Sequence, residues 1–238
     1  MTPFQKKYET EIAELARAAN RLAEVGFVTS QGGNLSLRAD EDVILITPTK
    51  VAKSAITFED ICAVDRTGKV LHAKEGRKPT GEWQFHVRIM NKRPDVKGIV
   101  HAHPPILTGF AIAGGDWLQR PFLPEPVIEV GPMILVPYAE PLSEKLAENF
   151  DAVIEKSNGF LMENHGALMV SSEGVWRAIE FLEMMEAAGK SILVAKMLGN
   201  AKTLPAPDVK NLENVIRIRN LPMPGLPGVV KGLNDIFV

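Results

Sequence analysis

Two histidines separated by one residue are the first feature of the sequence with a chemical meaning. His101 and His103 end the apolar run VKGIVHAH, which is typical of a strand. Residues i and i+2 of a strand point to the same face, so both imidazoles project together at the strand end. This spacing suits one tetrahedral metal ion bound by neutral ring nitrogens. The alternative is two unrelated histidines, one buried and one exposed.

A third histidine, His165, lies in the segment ENHG, between an apolar strand and a glycine turn. A lone histidine in such a place is ordinarily structural. Together with the His-x-His pair, however, it would complete a three-histidine site with one coordination position open. An open position distinguishes a catalytic metal from a structural one. Zinc suits imidazole best, although manganese, iron or cobalt could take the same ligands.

A carboxylate is the next candidate. Glu82 follows Pro79-Thr80-Gly81 and falls in the first turn of a helix that the sequence predicts over 82–92. A carboxylate there could simply favour the helix dipole. Beside a metal, it could instead take a proton from a carbon next to a polarised carbonyl. His86 lies on the same face of that helix, where packing or a hydrogen bond within the helix is the simpler interpretation.

Two further turns could bind an anion. The segment SQGGNLS, residues 30–36, has paired glycines that let the backbone approach an anion, with asparagine and serine as donors. The same letters are also common turn chemistry. The segment TPTK, residues 47–50, is another turn and ends in a hydroxyl and a cation.

Taken in order, the blocks GGNLS, TPT, PTGEWQFH, HAHPP, PYA and ENHG resemble the class II aldolase/adducin family. The sequence is most similar to its L-fuculose-1-phosphate aldolase branch. The resemblance covers about residues 10–200, and HAHPP and NHG are its most specific parts. It implies one α/β/α domain, assembled as a homotetramer with active sites between subunits.

The resemblance also implies roles for individual residues. His101, His103 and His165 would hold zinc, and Glu82 would be the catalytic acid/base, able to serve as a fourth ligand when substrate is absent. Tyr138, in the segment VPYA, would donate a proton in a neighbouring subunit's site, and a core or interface tyrosine is the alternative reading. The residues expected to contact the substrate phosphate are Gly33, Asn34, Thr49, Lys50, Thr80 and Gly81.

Two of these positions depart from the family pattern. Pro-Thr-Gly-Glu stands where Pro-Ser-Ser-Glu is common, so Gly81 lacks a hydroxyl that could bond phosphate but keeps its N–H. Lys50 stands where glycine often follows Thr-Pro-Thr. A lysine there could add charge to the phosphate pocket, or it could crowd the pocket and mark a different substrate.

We therefore expect a zinc-dependent aldolase that reversibly cleaves a ketose 1-phosphate to dihydroxyacetone phosphate and an aldehyde through a zinc-stabilised enediolate. A related metal-dependent decarboxylase, dehydratase or epimerase acting on a sugar phosphate or a similar acid is the alternative. A non-catalytic scaffold like the adducin head, which keeps the fold without the metal, is a remote third reading.

Composition excludes other classes. The 238 residues carry 27 Lys+Arg and 29 Asp+Glu, for a net charge of −2, so we expect neither a nucleic-acid nor a membrane partner. No apolar run approaches the ~20 residues of a membrane span, and the charged N-terminal segment is unlike a secretory signal. The one cysteine, Cys62, cannot form an internal disulfide. We expect a cytoplasmic protein in which Cys62 packs in the core.

Helices and strands alternate along the chain. Apolar spacing predicts helices over 4–25, 82–92, 142–156 and 173–198. It predicts strands in NLSLR, VILIT, VKGIVHAH, MILVPY, GFLMEN and ALMV and a hairpin over 60–72. Residues 114–132 are rich in glycine and proline and are predicted to form a loop.

This order predicts an α/β fold. We expect one domain over 1–238, an α/β/α three-layer unit with a mixed, largely antiparallel central sheet. Its core would span about residues 10–200. Proline and glycine recur from 203 onward, so the tail over 203–238 is predicted to wrap the surface or a subunit interface.

Overall fold

Eight strands form one sheet in the order β4-β3-β2-β1-β5-β8-β7-β6 in a computed structural model that describes residues 1–237. The strands are β1 (Asn34–Asp40), β2 (Val43–Ile46), β3 (Cys62–Val64), β4 (Val70–His72), β5 (Gly98–Ala102), β6 (Ile134–Val136), β7 (Gly159–Met162) and β8 (Gly166–Ser171). Strands β6 and β7 run parallel, and the other neighbouring pairs are antiparallel. The predicted mixed, largely antiparallel sheet is confirmed.

Helices cover both faces of this sheet. They are α1 (Pro3–Lys7), α2 (Glu9–Glu24), α3 (Trp83–Lys92), α4 (Pro105–Ala113), α5 (Pro124–Glu129), α6 (Glu144–Asn149), α7 (Val175–Met197) and α8 (Ala206–Arg219). Alternation along β2 shows how the layers form, because Leu45 belongs to the apolar cluster that includes residues of α2, α4 and α7. Its neighbours Ile44 and Ile46 point the other way and belong to the cluster that includes residues of α3 and α6. The α/β/α arrangement is confirmed.

Some predicted helix boundaries are wrong. The helix predicted over 4–25 is interrupted at Tyr8, whose φ of −116° and ψ of 33° lie outside the helical region. The helix predicted over 142–156 is shorter. It begins after Ser143, whose side chain accepts from the N–H of Leu146, and it tightens into a 3-10 turn after Asn149. The predicted loop 114–132 contains α5.

Part of the tail is a helix that the sequence did not suggest. Helix α8 begins after Pro205 and ends at Asn220, whose φ of 52° is the left-handed conformation common at a helix C-cap. Prolines near its start suggested a break, yet proline is favoured in the first turn of a helix. The buried Val209 and Ile216 of α8 share an apolar cluster with Val127 of α5. The tail therefore packs on its own chain, and contact with a neighbouring copy stays a prediction.

Cys62 is a free thiol buried in β3. Burial raises the pKa of this thiol to about 12, so it stays protonated and packs as a small apolar group. The predicted core role of Cys62 is confirmed. Among the described residues, no helix combines the length and the apolar character that crossing a membrane requires.

Candidate metal centre and active site

Three histidines converge at one end of the sheet. One ring nitrogen from each of His101, His103 and His165 lies within 4.8 Å of the others, and the Nε2 atoms of His101 and His103 are 3.2 Å apart. His101 lies on strand β5, His103 follows directly after the last residue of that strand, and His165 occupies the turn that leads into β8. Because β5 and β8 pair with Ala102 opposite Ala167, the turn is placed beside the His-x-His pair.

The surroundings hold the rings of His101 and His103 neutral. The Nδ1 of His101 lies 3.0 Å from the carbonyl oxygen of Ala167. Since a carbonyl only accepts, Nδ1–H donates and Nε2 keeps a lone pair directed at the centre. Burial, followed by the neighbouring histidines, lowers the pKa of His101 well below its usual value. Burial and His165 lower the pKa of His103 to about 4. Neutral imidazole is the form that binds a metal.

Glu82 faces this cluster. Its Oε2 is 3.5 Å from Nε2 of His101 and its Oε1 is 3.7 Å from Nε2 of His165. The side chain is buried, and Oε1 has no hydrogen-bond partner among the described residues. Buried polar atoms are ordinarily paired, so an unpartnered carboxylate oxygen beside three imidazoles fits a bound cation. Glu82 is the N-cap of α3 and lies one residue before the helix, outside its predicted first turn.

Backbone pairing brings the predicted anion-binding turns together. Asn34 lies directly opposite His101 in the β1–β5 register. The next turn is attached through Thr47, whose Oγ1 accepts from the N–H of Leu35 at 3.1 Å. The third is attached by the N–H of Thr80, which donates to the carbonyl of Thr47 at 2.9 Å. These three turns contain the residues expected at the phosphate, which are Gly33, Asn34, Thr49, Lys50, Thr80 and Gly81.

Strained backbone is concentrated around the same turns. Positive φ occurs at non-glycine residues Ser30 (46°), Lys50 (59°), Leu142 (69°) and Asn164 (53°). Ser30, Lys50 and Asn164 belong to segments expected to hold substrate or metal, and Leu142 lies over Gly81. Such conformations cost about 1–2 kcal/mol per residue and persist where the surrounding structure enforces them, often at functional sites.

Both departures from the family pattern acquire a physical meaning. Lys50 occupies a left-handed position that glycine would take without strain, and its side chain is exposed. At Gly81, a Cβ atom would lie 2.7 Å from Cδ2 of Leu142. A serine there would displace that leucine. With glycine at position 81, the turn has no hydroxyl there and is covered by the side chain of Leu142.

Tyr138 lies two residues after strand β6. Its side chain is half exposed, and its backbone N–H donates to Oε2 of Glu163 at 2.9 Å. Glu163 lies two residues before His165, so the VPYA segment is tied to the ENHG turn. Asn34, expected at the phosphate, directs its amide nitrogen at Oε2 of Glu82 at 2.8 Å.

Two residues near the site escaped the sequence analysis. Lys53 is buried, and its Nζ donates to the carbonyl of Gln31 at 3.1 Å; burial lowers its pKa to about 8. Glu186 of α7 accepts from the N–H groups of Ile106 and Leu107, each at 2.9 Å. It thereby caps α4 directly after the HAHPP block. Pro104, at the N-cap position of α4, has no side chain that could accept these hydrogen bonds. The missing cap was the local signal that a distant residue accepts them.

The chain matches the family "Class II Aldolase and Adducin N-terminal domain" over residues 13–193. It belongs to this family, which generally uses a divalent metal.

Relatives within the family include enzymes of two kinds. The chain is 31% identical to "3-oxo-tetronate 4-phosphate decarboxylase" of Pectobacterium atrosepticum, over 84% of this chain and 91% of that protein. It is 30% identical to "L-fuculose phosphate aldolase" of Methanococcus maripaludis, over 68% of this chain and 86% of that protein. Its fold is similar to the crystal structure of YgbL from Escherichia coli, with a TM-score of 0.80 and 26% identity over 86% and 98% of the two chains.

Proposed function

We propose that this chain is a divalent-metal-dependent carbon–carbon lyase that decarboxylates a phosphorylated 3-oxo sugar acid. The observation that carries the proposal is the convergence of three histidines and the buried Glu82, with one carboxylate oxygen unpartnered among the described residues. The sequence-based expectation placed an aldolase first and a decarboxylase as its alternative. The identity of 31% over 84% of the chain to a decarboxylase supports that alternative.

His101, His103 and His165 would hold the metal, with Glu82 next to it. We propose zinc because three imidazoles suit it best, while manganese, iron and cobalt stay alternatives. When bound, the metal would act as a Lewis acid that polarises the substrate carbonyl and stabilises the negative charge left when the carbon–carbon bond breaks.

Glu82 would deliver the proton to C2 of the substrate. Loss of CO2 from C2 of a 3-oxo-tetronate 4-phosphate leaves the bonding electron pair on the substrate as an enediolate. One proton delivered to C2 then gives dihydroxyacetone phosphate. Glu82 is the carboxyl group nearest the ligand cluster, and a positioned carboxyl group is a competent general acid.

The turns beside Glu82 would hold the phosphate. Backbone N–H groups at Gly33 and Gly81 and the hydroxyls of Thr49 and Thr80 suit phosphate oxygens. Lys50 would add a cation from its left-handed position. Asn34 would contribute through Glu82, because its amide nitrogen faces that carboxylate.

An aldolase keeps its place as the second candidate because of the 30% identity to a fuculose phosphate aldolase. Aldol cleavage of a ketose 1-phosphate also leaves the enediolate of dihydroxyacetone phosphate, so Glu82 would have the same task. Aldol cleavage additionally requires a group that exchanges a proton with the aldehyde oxygen. Tyr138 is half exposed on this chain and would serve that oxygen in a neighbouring copy's site. We therefore propose a homo-oligomer, expected as a tetramer, in the cytoplasm.

A two-substrate assay separates the candidates. Protein purified without chelator would be incubated with 3-oxo-tetronate 4-phosphate and, separately, with L-fuculose 1-phosphate. A coupled dehydrogenase would detect dihydroxyacetone phosphate, and released CO2 would be measured in parallel. The decarboxylase predicts both products from the first substrate and slow or no turnover of the second. Dihydroxyacetone phosphate from the second substrate alone would overturn the decarboxylase in favour of the aldolase.

Two controls define the remaining outcomes. Chelation should abolish activity, and added zinc should restore it. Product without release of dihydroxyacetone phosphate or CO2 would indicate an epimerase or dehydratase. Absence of stoichiometric transition metal in natively purified protein, together with no turnover, would favour the adducin-head-like scaffold over every enzyme reading.

A further inference from the structure

A line of buried hydrogen bonds leads from Glu82 into the core. Oε2 of Glu82 is 2.8 Å from Nδ2 of Asn34, and Oδ1 of Asn34 is 2.5 Å from Nε2 of His86. On the other side of the ring, Nδ1 of His86 is 2.7 Å from Oγ of Ser36. All four side chains are buried, and Ser36 and His86 are fully so.

The two elements that carry these residues match in spacing. Asn34 and Ser36 are two residues apart on β1, so they point to one face about 6.6 Å apart along the strand. Glu82 and His86 are four residues apart at the start of α3, about 6 Å along the helix axis. Helix α3 lies against that face of β1, so Asn34 is placed beside Glu82 and Ser36 beside His86.

The chemistry of the groups gives this line one direction. The amide nitrogen of Asn34 donates to Oε2 of Glu82, and its carbonyl oxygen faces His86. That oxygen only accepts, so Nε2 of His86 donates. Burial lowers the pKa of His86 to about 3, so the ring is neutral and its Nδ1 carries a lone pair. Ser36 then donates its hydroxyl hydrogen to Nδ1.

We propose that Ser36 and His86 are positioning residues that hold the Asn34 amide with its N–H toward Glu82. Without the donor at Ser36, His86 can carry its proton on Nδ1 and accept at Nε2. The Asn34 amide would then turn over and place its carbonyl oxygen against the carboxylate, which repels it. This inference rests on the proposed function for Glu82 as the group that moves the proton.

The test compares two buried serines on the same sheet. Ser36→Ala removes the donor to His86. Ser171→Ala on β8 is the matched control, because Ser171 is also buried and its Oγ accepts from the N–H of Glu173 at 3.0 Å. We expect kcat of Ser36→Ala to fall by roughly 10-fold with KM and zinc content unchanged, and kcat of Ser171→Ala to stay at the wild-type level. Equal kcat values in the two folded variants would overturn the proposal.

A spectroscopic measurement tests the same direction without turnover. Nitrogen-15 NMR of histidine-labelled, zinc-loaded protein distinguishes the two neutral tautomers, and the chain has only five histidines. We expect His86 as the Nε2–H tautomer in the wild type and a shift toward Nδ1–H in Ser36→Ala. An Nδ1–H tautomer in the wild type would overturn the proposal, even where Ser36→Ala fails to fold. Absence of turnover with both substrates would overturn the proposed function while leaving this measurement interpretable.

Discussion

Helix α3 connects two buried polar regions with contrasting chemistry. Glu82 occupies the N-cap position beside three histidines, and Arg93 occupies the C-cap position in contact with the tail. At the histidine end, Oε1 of Glu82 and Nδ1 of His165 have no partner among the described residues. At the other end, the guanidinium of Arg93 pairs with Asp95 and donates to carbonyl oxygens, including that of Gly225 at 3.0 Å.

A second paired cluster holds the tail helix. The buried carboxylate of Glu129 in α5 pairs with Arg177 of α7 and with Arg219 of α8. A buried charge without a partner is costly, so these pairs keep the tail on its own chain. In these two clusters each buried charge meets an opposite charge and holds elements of the fold together, whereas Glu82 beside the strained turns has a carboxylate oxygen without a partner among the described residues.

The largest expected effect is a loss of turnover at Glu82, at the N-terminal end of α3. Glu82→Gln keeps the size of the side chain and removes its acid/base capacity, so kcat should fall by about 10²–10⁴-fold. The fold and the three-histidine cluster should persist, which circular dichroism and zinc analysis would check. Near-wild-type turnover by Glu82→Gln would show that this carboxylate is not the acid/base.

A substitution at Arg93, at the C-terminal end of α3, should lower stability rather than turnover. Arg93→Met leaves the carbonyl oxygen of Gly225 without its donor and Asp95 without its cation. Breaking a buried pair in this way should lower the free energy of unfolding by about 3–5 kcal/mol, measured by chemical denaturation. The folded fraction should still bind zinc. Loss of zinc binding at unchanged stability would contradict the separation of the two regions.

The buried histidines predict a dependence of stability on pH in the metal-free protein. The pKa of His86 is lowered from 6.5 to about 3, so between these values the unfolded chain binds more protons than the fold does. Stability should be complete above pH 6.5 and decrease as the pH falls toward 3. His101 and His103 act in the same direction. Denaturation at several pH values should show this slope, and His86→Phe should reduce it.

The smallest effect should separate backbone strain from charge. Lys50→Gly removes a left-handed lysine and should raise the free energy of unfolding by about 1 kcal/mol. If the lysine is kept for its charge, the same variant should raise KM for the phosphorylated substrate several-fold. Lys50→Gln, which keeps the strain but not the charge, should raise KM without the gain in stability. Unchanged KM in both variants would remove Lys50 from the phosphate site.

Much of this molecule could be predicted from local pattern. Alternation along NLSLR and the apolar run VILIT predicted β1 and β2, and the His-x-His spacing predicted that two imidazoles project together at a strand end. The order of the blocks also pointed to the family. Prediction failed at the prolines of α5 and α8, because proline both ends helices and is favoured in their first turn. It also failed where stabilisation comes from distant partners, as with Arg93 and Gly225.

The sequence by itself determined which groups were available for chemistry: three histidines, one well-placed glutamate and several polar turns. Tertiary structure decided how they act, because register and layer packing are long-range properties. Strand pairing set Asn34 opposite His101, and the packing of α3 on β1 connected Asn34 to His86. Backbone conformation decided that Lys50 and Leu142 are held in left-handed positions. Local spacing specifies the face on which a side chain lies, whereas only the folded chain specifies its partner.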